Sequence, residues 1–593
     1  MNSETRACQN CKQNFVIEPE DFKFYEKVNV PPPTWCPECQ LKRRLLFRNE
    51  HNLYKRKESI DGKEVISTFS SDKKIQVYEQ DYWLSDKWEP LNYGKDYDFL
   101  KPFLEQFNEL LKDVPYTALL NINAVNSEYC NYTFGNKNCY LIFGGDFNED
   151  CAYGTFNMYS KNSFDLYWVN KCELCYEGID SENCYKIFWG MYIKDSIDST
   201  FLYNCSNVNN SIGCVNLRNK SNCIFNVQYT KEEFEKRIEE MDFGSYKNIQ
   251  EFKEKFKDFS IKYPRRYAEI IKSTGVVGHN IHNAKNCQNC FDVYENMEEG
   301  KNLLIAGWEL KDSRNSDHVG HKAELMYEFM GGGGGASKIF FSYFCFSSHS
   351  LQYSFNCRAS SNLFGCVSLK NKSYCILNKQ YAKEEYETLV PKIIKHMNDM
   401  PYIDKKGRIY KYGEFFPPEL SPFSYNETIA QEYFPLTREE AIEQGYSWKD
   451  PEPRNYQITL KTEDIPDHIK DVPDSILNEI IQCAHHQLGG ETSNCNEQCT
   501  EAFRIIPQEL DFLRKMNLPL PRLCPNCRHY QRIKQRNPLK LWHRKCMCGT
   551  KTTYTNTIKH DHEGQCPIEF ETTYAPERPE IVYCEKCYLK EVV

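Results

Sequence analysis

Four thiols near the start of the chain constrain its fold more than any other feature. Cys8 and Cys11 form one pair, and Cys36 and Cys39, in the sequence CPEC, form a second pair about 25 positions later. Two thiolate pairs at that spacing match a tetrahedral four-thiolate zinc site. The spacing predicts a knuckle at the first pair, a hairpin in the stretch between, and a basic helix opened by the second pair. That is a treble-clef or zinc-ribbon arrangement.

The other end of the chain repeats this pattern. Cys499, Phe503, Pro507, Phe512, Cys524, Pro525, Cys527, Arg532, Arg536, Asn537 and Arg544 each lie 488 positions after Cys11, Phe15, Pro19, Phe24, Cys36, Pro37, Cys39, Arg44, Arg48, Asn49 and Arg56. With Cys495 four positions before Cys499, the second site reads as Cys495, Cys499, Cys524 and Cys527. Further on, FETTYAPERPEIVYCEKCY aligns with VISTFSSDKKIQVYEQDYW at an offset of 505. There Cys566, Cys584 and Cys587 face Asp61, Glu79 and Tyr82, while Cys546 faces Glu58 at the earlier offset. Four cysteines absent together are what a shared metal predicts, because a site missing one ligand binds zinc poorly. Cys546, Cys566, Cys584 and Cys587 therefore read as a third site, and the cofactor as about three Zn²⁺ per chain. Cys548, His560 and His562 lie in a 17-residue insertion and read as incidental loop donors that could replace a ligand. Cys483, with His485 and His486, reads as a helix-end group without metal.

The pattern CxxC…F.I…FY.K…P…CPxC resembles the probable treble-clef zinc-ribbon domain of uncharacterised bacterial proteins. The tail TTYAPERPEIVYCEKCYLKEV is similar to the C-terminus of large zinc-ribbon proteins of candidate-phyla bacteria. The resemblance extends over most of the chain and implies zinc binding without an established activity.

Between the ends, short phrases such as NKNCYLIF, EDCAYGTF, SENCYKIF and SNCIFNV recur at steps of roughly nine to twelve residues. Their alternation and their Asn, Ser, Asp and Gly edges predict strands stacked in a parallel β-solenoid, with two phrases making a coil of about 20 residues. The block repeats at an offset of 151–152, with GCVNLRNKSNCIFNVQYTKEEF returning as GCVSLKNKSYCILNKQYAKEEY. Each copy ends in an amphipathic helix that would cap the open edge. Cysteines here, including Cys139, Cys184, Cys214, Cys290 and Cys366, read as small buried core residues. Gly331–Gly335 reads as a flexible loop between coils.

The expected fold is thus mainly β and multi-domain: two parallel β-solenoid blocks flanked by treble-clef/zinc-ribbon modules, with short capping helices. Residues 1–116 form an N-terminal module with a metal-free distal half. The first block spans 117–229, a helical connector 230–280, the duplicate block 281–381, a helical and irregular connector 382–482, and the double zinc module 483–593.

Among 29 cysteines no disulfide framework is expected, since MNSETRACQNCKQNF lacks a signal-peptide pattern. A cytoplasmic, reducing location follows, with no membrane association. A net charge of −9 excludes a wholly basic nucleic-acid coat but allows local basic patches. One such patch follows each second thiol pair. Arg43, Arg44, Arg48 and Arg56 at one end, and Arg528, Arg532, Arg536 and Arg544 at the other, could contact phosphates, with Tyr54 or Trp542 stacking on bases. The leading expectation is a non-catalytic zinc protein that binds nucleic acid or a ribonucleoprotein. A protein-interaction scaffold is the alternative. A solenoid carbohydrate-active enzyme is a second, with Asp165, Glu177, Asp180 and Asp198 as a possible acid row. Four-cysteine sites leave zinc no open position for catalysis.

Overall fold

A computed structural model describes residues 2–170, 178–182, 189–452, 456–487 and 497–592. The repeated phrases obey a period of three. Backbone φ enters the left-handed region at every third residue, through Asn123, Asn126, Tyr129 and Tyr132, and again through Tyr153, Phe156, Tyr159, Asn162 and Asp165. Asn and Asp tolerate this conformation best, which explains their abundance. The inward positions keep the same step: Cys130, Thr133, Asn136, Cys139 and Ile142, then Cys151, Asn157, Ser160, Ser163 and Leu166, all buried.

Each rung pairs in parallel with the next at a step of twelve, as Asn131 with Phe143, Phe143 with Thr155 and Thr155 with Tyr167. In the second copy the step is thirteen from Ala284 to Met297 and from Glu298 to Lys311, then twelve from Ser337 to His349 and from His349 to Ser361. These rungs form a parallel sheet of eleven strands, with one antiparallel pair closing its end. One phrase therefore makes one rung, which corrects the larger coil expected from two phrases. Small side chains, many of them Cys and Ser, occupy the buried positions of neighbouring rungs. Their polar atoms find carbonyls: the Cys139 thiol donates to Asn148 O at 3.4 Å and the Cys151 thiol to Ser160 O at 3.4 Å. Cys184 lies outside the described residues.

The glycine run is not a loose loop. Gly331–Gly333 end the strand Glu324–Gly333, and a Cβ on Gly332 or Gly333 would stand 2.2 Å from Cys345 O or 1.9 Å from Gly320 O. Neighbouring rungs approach too closely there for any side chain.

Both copies finish alike. Cys223–Ile224 pairs antiparallel with Val227–Gln228 before the helix Lys231–Met241, and Ser373–Ile376 pairs with Lys379–Gln380 before Lys383–Asp399. Thr230 caps the first helix by accepting from Glu233 N. A large aromatic core joins distant parts of the chain. Phe107 stacks on Phe416 at 4.9 Å, and Phe47 and Tyr353 pack on the same ring. The connector thus straps the first thiol module to the second stack. No helix among the described residues is long and apolar enough to cross a membrane.

Candidate metal centres and the docking of their helices

The first centre is built by a strand pair and a helix. Strand Glu4–Ala7 runs antiparallel to Asn14–Ile17, and the connection between them holds Cys8 and Cys11. The stretch expected as a hairpin instead contributes the second of these strands and then a helix, Pro19–Val28, which starts at Pro19 and is followed by left-handed Asn29. Cys36 caps the helix Pro37–Leu45 and Cys39 sits in its first turn. The four sulfurs of Cys8, Cys11, Cys36 and Cys39 lie within 4.8 Å of one another. The Cys11 and Cys36 sulfurs stand 3.7 Å apart. Tetrahedral zinc with Zn–S of about 2.3 Å requires about 3.8 Å. Amide N–H donors also serve this cluster: Cys36 N reaches the Cys8 sulfur at 3.2 Å and Asn10 Nδ2 the Cys39 sulfur at 3.3 Å. Donation from the Cys36 and Cys39 thiols pulls the Cys8 thiol far below its usual pKa, toward the thiolate that a metal needs.

Among the described residues the second centre brings together Cys483, Cys499, Cys524 and Cys527, with Cys483 in the place expected for Cys495, which lies outside them. The physical reason is the strand register. Ile481 pairs with Phe503 as Arg6 pairs with Phe15, so Cys483 follows its strand as Cys8 does. The first two thiols stand much further apart in sequence at this end, Cys483 and Cys499 against Cys8 and Cys11, which hides the match. Cys524 N donates to the Cys483 sulfur at 3.2 Å, repeating the bond between Cys36 and Cys8. Cys483 is therefore a ligand position rather than a helix end.

The third centre gathers Cys546, Cys566, Cys584 and Cys587 as the spacing predicted. Strand Trp542–Lys545 pairs with Glu569–Thr572 in the register expected from the two offsets, and Cys584 precedes the helix Glu585–Val592. Cys584 N again donates to the first cysteine, Cys546, at 3.2 Å. Donation from Cys546 lowers the Cys584 thiol to about 5. The distal half of the N-terminal module has the same frame without thiols. Tyr54–Lys57 pairs with Glu64–Ser67, and Glu79 caps the helix Gln80–Leu84. There Lys63 donates to Glu79 at 2.9 Å, with Asp61 and Glu58 also holding its pKa up. Both partners of that pair are exposed to solvent, and the fully buried Trp83 supplies the packing.

The arginines expected at a nucleic-acid surface are instead committed to the protein. Arg44 bonds Asp317 at 2.6 Å and Glu328 at 3.1 Å, while Arg43 bonds Glu414 at 3.0 Å and Glu328 at 3.4 Å. All five side chains are 5% exposed or less. Arg532 bonds Asp165 at 2.8 Å, Arg528 bonds Glu509 at 2.9 Å and also reaches Asp165, and Arg536 pairs with Asp292. Arg48 pairs with Glu50 and lies 4.1 Å over the Tyr132 ring. Arg56 donates to the carbonyls of Ser70 and Ile75, and Arg544 to those of Tyr574 and Ala575. Tyr54 gives its hydroxyl to Glu427. The partners of these side chains are carboxylates and backbone carbonyls of the same chain. Asp165, expected in an acid row, is one of those carboxylates and is fully buried. Glu177 lies outside the described residues.

The pairs also relate the two halves. Arg44 and Arg532 are 488 positions apart, and their partners Asp317 and Asp165 are 152 apart, the offsets of the module and stack duplications. Each proximal module therefore docks on one stack through an equivalent Arg–Asp pair. Its distal half meets the other stack's entry: Val77–Tyr78 pairs in parallel with Tyr116–Thr117, and Val582–Tyr583 with Arg265–Arg266. Where the halves meet, His51 Nδ1 and His529 Nε2 both reach Glu432, at 2.9 and 3.3 Å. These junction residues were not legible in the sequence because they come from three unrelated segments.

No family model and no curated protein matches this chain. Its centres stand on their own geometry: three four-cysteine clusters able to hold zinc, consistent with zinc-ribbon modules.

Proposed function

We propose that this chain is a non-catalytic zinc protein that works as a binding scaffold, in which two short-runged β-solenoids are clamped together by zinc modules. One observation carries the reading: the helix following each proximal zinc centre is tied to a stack by a buried Arg–Asp pair, and both pairs occupy equivalent positions. Zinc coordinated by four thiolates has no position for water or substrate, so its part is to fix those helices. Solenoids offer long rigid faces for partners. Support for such a face comes from Phe134, Phe147 and Tyr159, exposed on successive rungs with ring centroids 5.4 and 5.3 Å apart. A row of exposed neighbouring rings suits a flat apolar or amphipathic protein partner.

Nucleic-acid binding has less support, since six of its eight arginines are paired with carboxylates at the module helices. Lys57 and Lys545, exposed on the two distal hairpins, are cations still available for it. A mobility-shift titration with single- and double-stranded DNA and RNA at about 50 mM salt separates the readings. The scaffold reading expects no saturable shift. A shift that weakens steeply with salt, as counterion release requires, would replace it by the nucleic-acid reading.

A further inference from the structure

Beside the third centre stands a second group of donors that shares one of its cysteines. Cys548, His560, His562 and Cys587 each place a ligand atom within 4.8 Å of the others. Cys548 is fully buried, Cys587 is 3% exposed and His560 8%. The insertion that carries Cys548 and the two histidines is a built loop. Cys566 N bonds Cys548 O at 2.9 Å, and Gly549 at φ +80° passes so near Gly564 that a Cβ would lie 1.9 Å from its carbonyl. Tyr554 and Thr557 tie the loop to Glu591, whose carboxylate is buried in the C-terminal helix.

The two imidazoles are oriented as metal ligands are. A ligating histidine gives its second ring N–H to a carboxylate or backbone carbonyl, which fixes the ring and frees the other nitrogen. His560 Nε2 meets Glu591 Oε2 at 2.8 Å, which leaves Nδ1. His562 Nδ1 meets Gly564 O at 2.9 Å, which leaves Nε2, and Nε2 stands 3.5 Å from the Cys587 sulfur. Zn–S of about 2.3 Å and Zn–N of about 2.05 Å at a tetrahedral angle require about 3.6 Å. Asn556 donates to the Cys548 sulfur at 3.3 Å, much as Asn10 does to Cys39 in the first centre.

We propose that the C-terminal module holds a binuclear zinc cluster: Cys546, Cys566 and Cys584 complete one ion, Cys548, His560 and His562 complete the other, and the Cys587 thiolate bridges them. A thiolate keeps a lone pair after binding one metal, so a bridge needs no further ligand. The second ion, with two sulfur and two nitrogen donors, is also closed and structural. It explains why the insertion has a defined path although its own apolar content is low.

The test is zinc content of the intact purified protein by mass spectrometry of the metal, with protein quantified by amino-acid analysis. The cluster predicts four zinc ions per chain, one for each of the four four-donor groups described above. Cys548→Ser should lose one ion and Cys587→Ser two, with the Cys8 and Cys483 centres still loaded. If Cys548→Ser fails to fold, His562→Gln, at a half-exposed position, should lose the same single ion. Replacement by ¹¹³Cd adds a readout on the unmodified chain: one resonance at the lower shift of a mixed sulfur–nitrogen site, coupled to one four-sulfur resonance. Three zinc ions in the unmodified protein, or a content unchanged by both Cys548→Ser and His562→Gln, would overturn the proposal. That result leaves the clamping role of the three four-cysteine centres standing, because none of their ligands is removed.

Discussion

Replacing Arg44 by Met should loosen the first zinc helix from its stack far more than an ion-pair substitution at a surface would. Asp317 has Arg44 as its bonded cation, at 2.6 and 3.4 Å, and is wholly buried. Burial pushes the Asp317 carboxyl up to about 6 even with Arg44 beside it. Glu328 keeps Arg43 in the variant, so Asp317 is the group left stranded. Breaking a buried pair by removing one partner costs about 3–5 kcal/mol. Local opening of helix Pro37–Leu45 should then become about two to four orders of magnitude more frequent, at about 1.4 kcal/mol per tenfold. Amide hydrogen exchange in that helix reads this directly and does not require the 593-residue chain to unfold in one step. Arg44→Met combined with Asp317→Asn should recover part of the loss, since no charge is then left unpaired. Arg532→Met should act alike on helix Pro525–Ile533. A change in exchange of less than about fivefold, near 1 kcal/mol, would mean that these guanidiniums behave as solvated ones and would refute the docking argument.

Other consequences can be checked alongside it. Cys483→Ser should lose one zinc ion and Cys495→Ser none, by metal analysis of the two variants. Replacing Glu58, Asp61, Glu79 and Tyr82 together by Cys, with Lys63→Ser, should add one zinc ion, because the N-terminal distal half keeps the strand and helix frame of the third centre. At the junction of the halves, the Glu432 carboxylate outweighs burial and raises His51 above its usual pKa. A raised histidine stabilises fully below about pH 6.5 and loses that contribution as pH rises through its folded pKa. Thermal midpoints of the unmodified protein should therefore fall as pH rises above about 6.5, and Glu432→Gln should flatten that part of the profile.

The ends of the chain were legible because metal ligation and strand register both leave fixed spacings. The offsets of 488 and 505 reappear as the pairs Tyr54 with Ser67 and Trp542 with Thr572. Cys483 escapes a reading by ligand spacing because it stands far from Cys499 in sequence, whereas the strand before it carries the equivalence. In the stacks, the steps of nine and twelve are multiples of three. Strand alternation obscures that rhythm, though Cys130, Thr133, Asn136, Cys139 and Ile142 spell it out one residue in three. What no local pattern could supply is which charge meets which. Arg44 and Asp317 are 273 positions apart, and a basic helix looks the same whether it faces phosphate or a buried carboxylate.

If zinc clamps the two halves as proposed, its removal should let them part. Small-angle scattering on zinc-loaded protein, and on the same sample after chelation under reducing conditions, tests it directly. A compact chain of 593 residues should have a radius of gyration of about 25 Å. The zinc-loaded protein should show that value, with a clear rise after chelation that reverses when zinc is restored. An unchanged radius after complete zinc removal would contradict the clamping role.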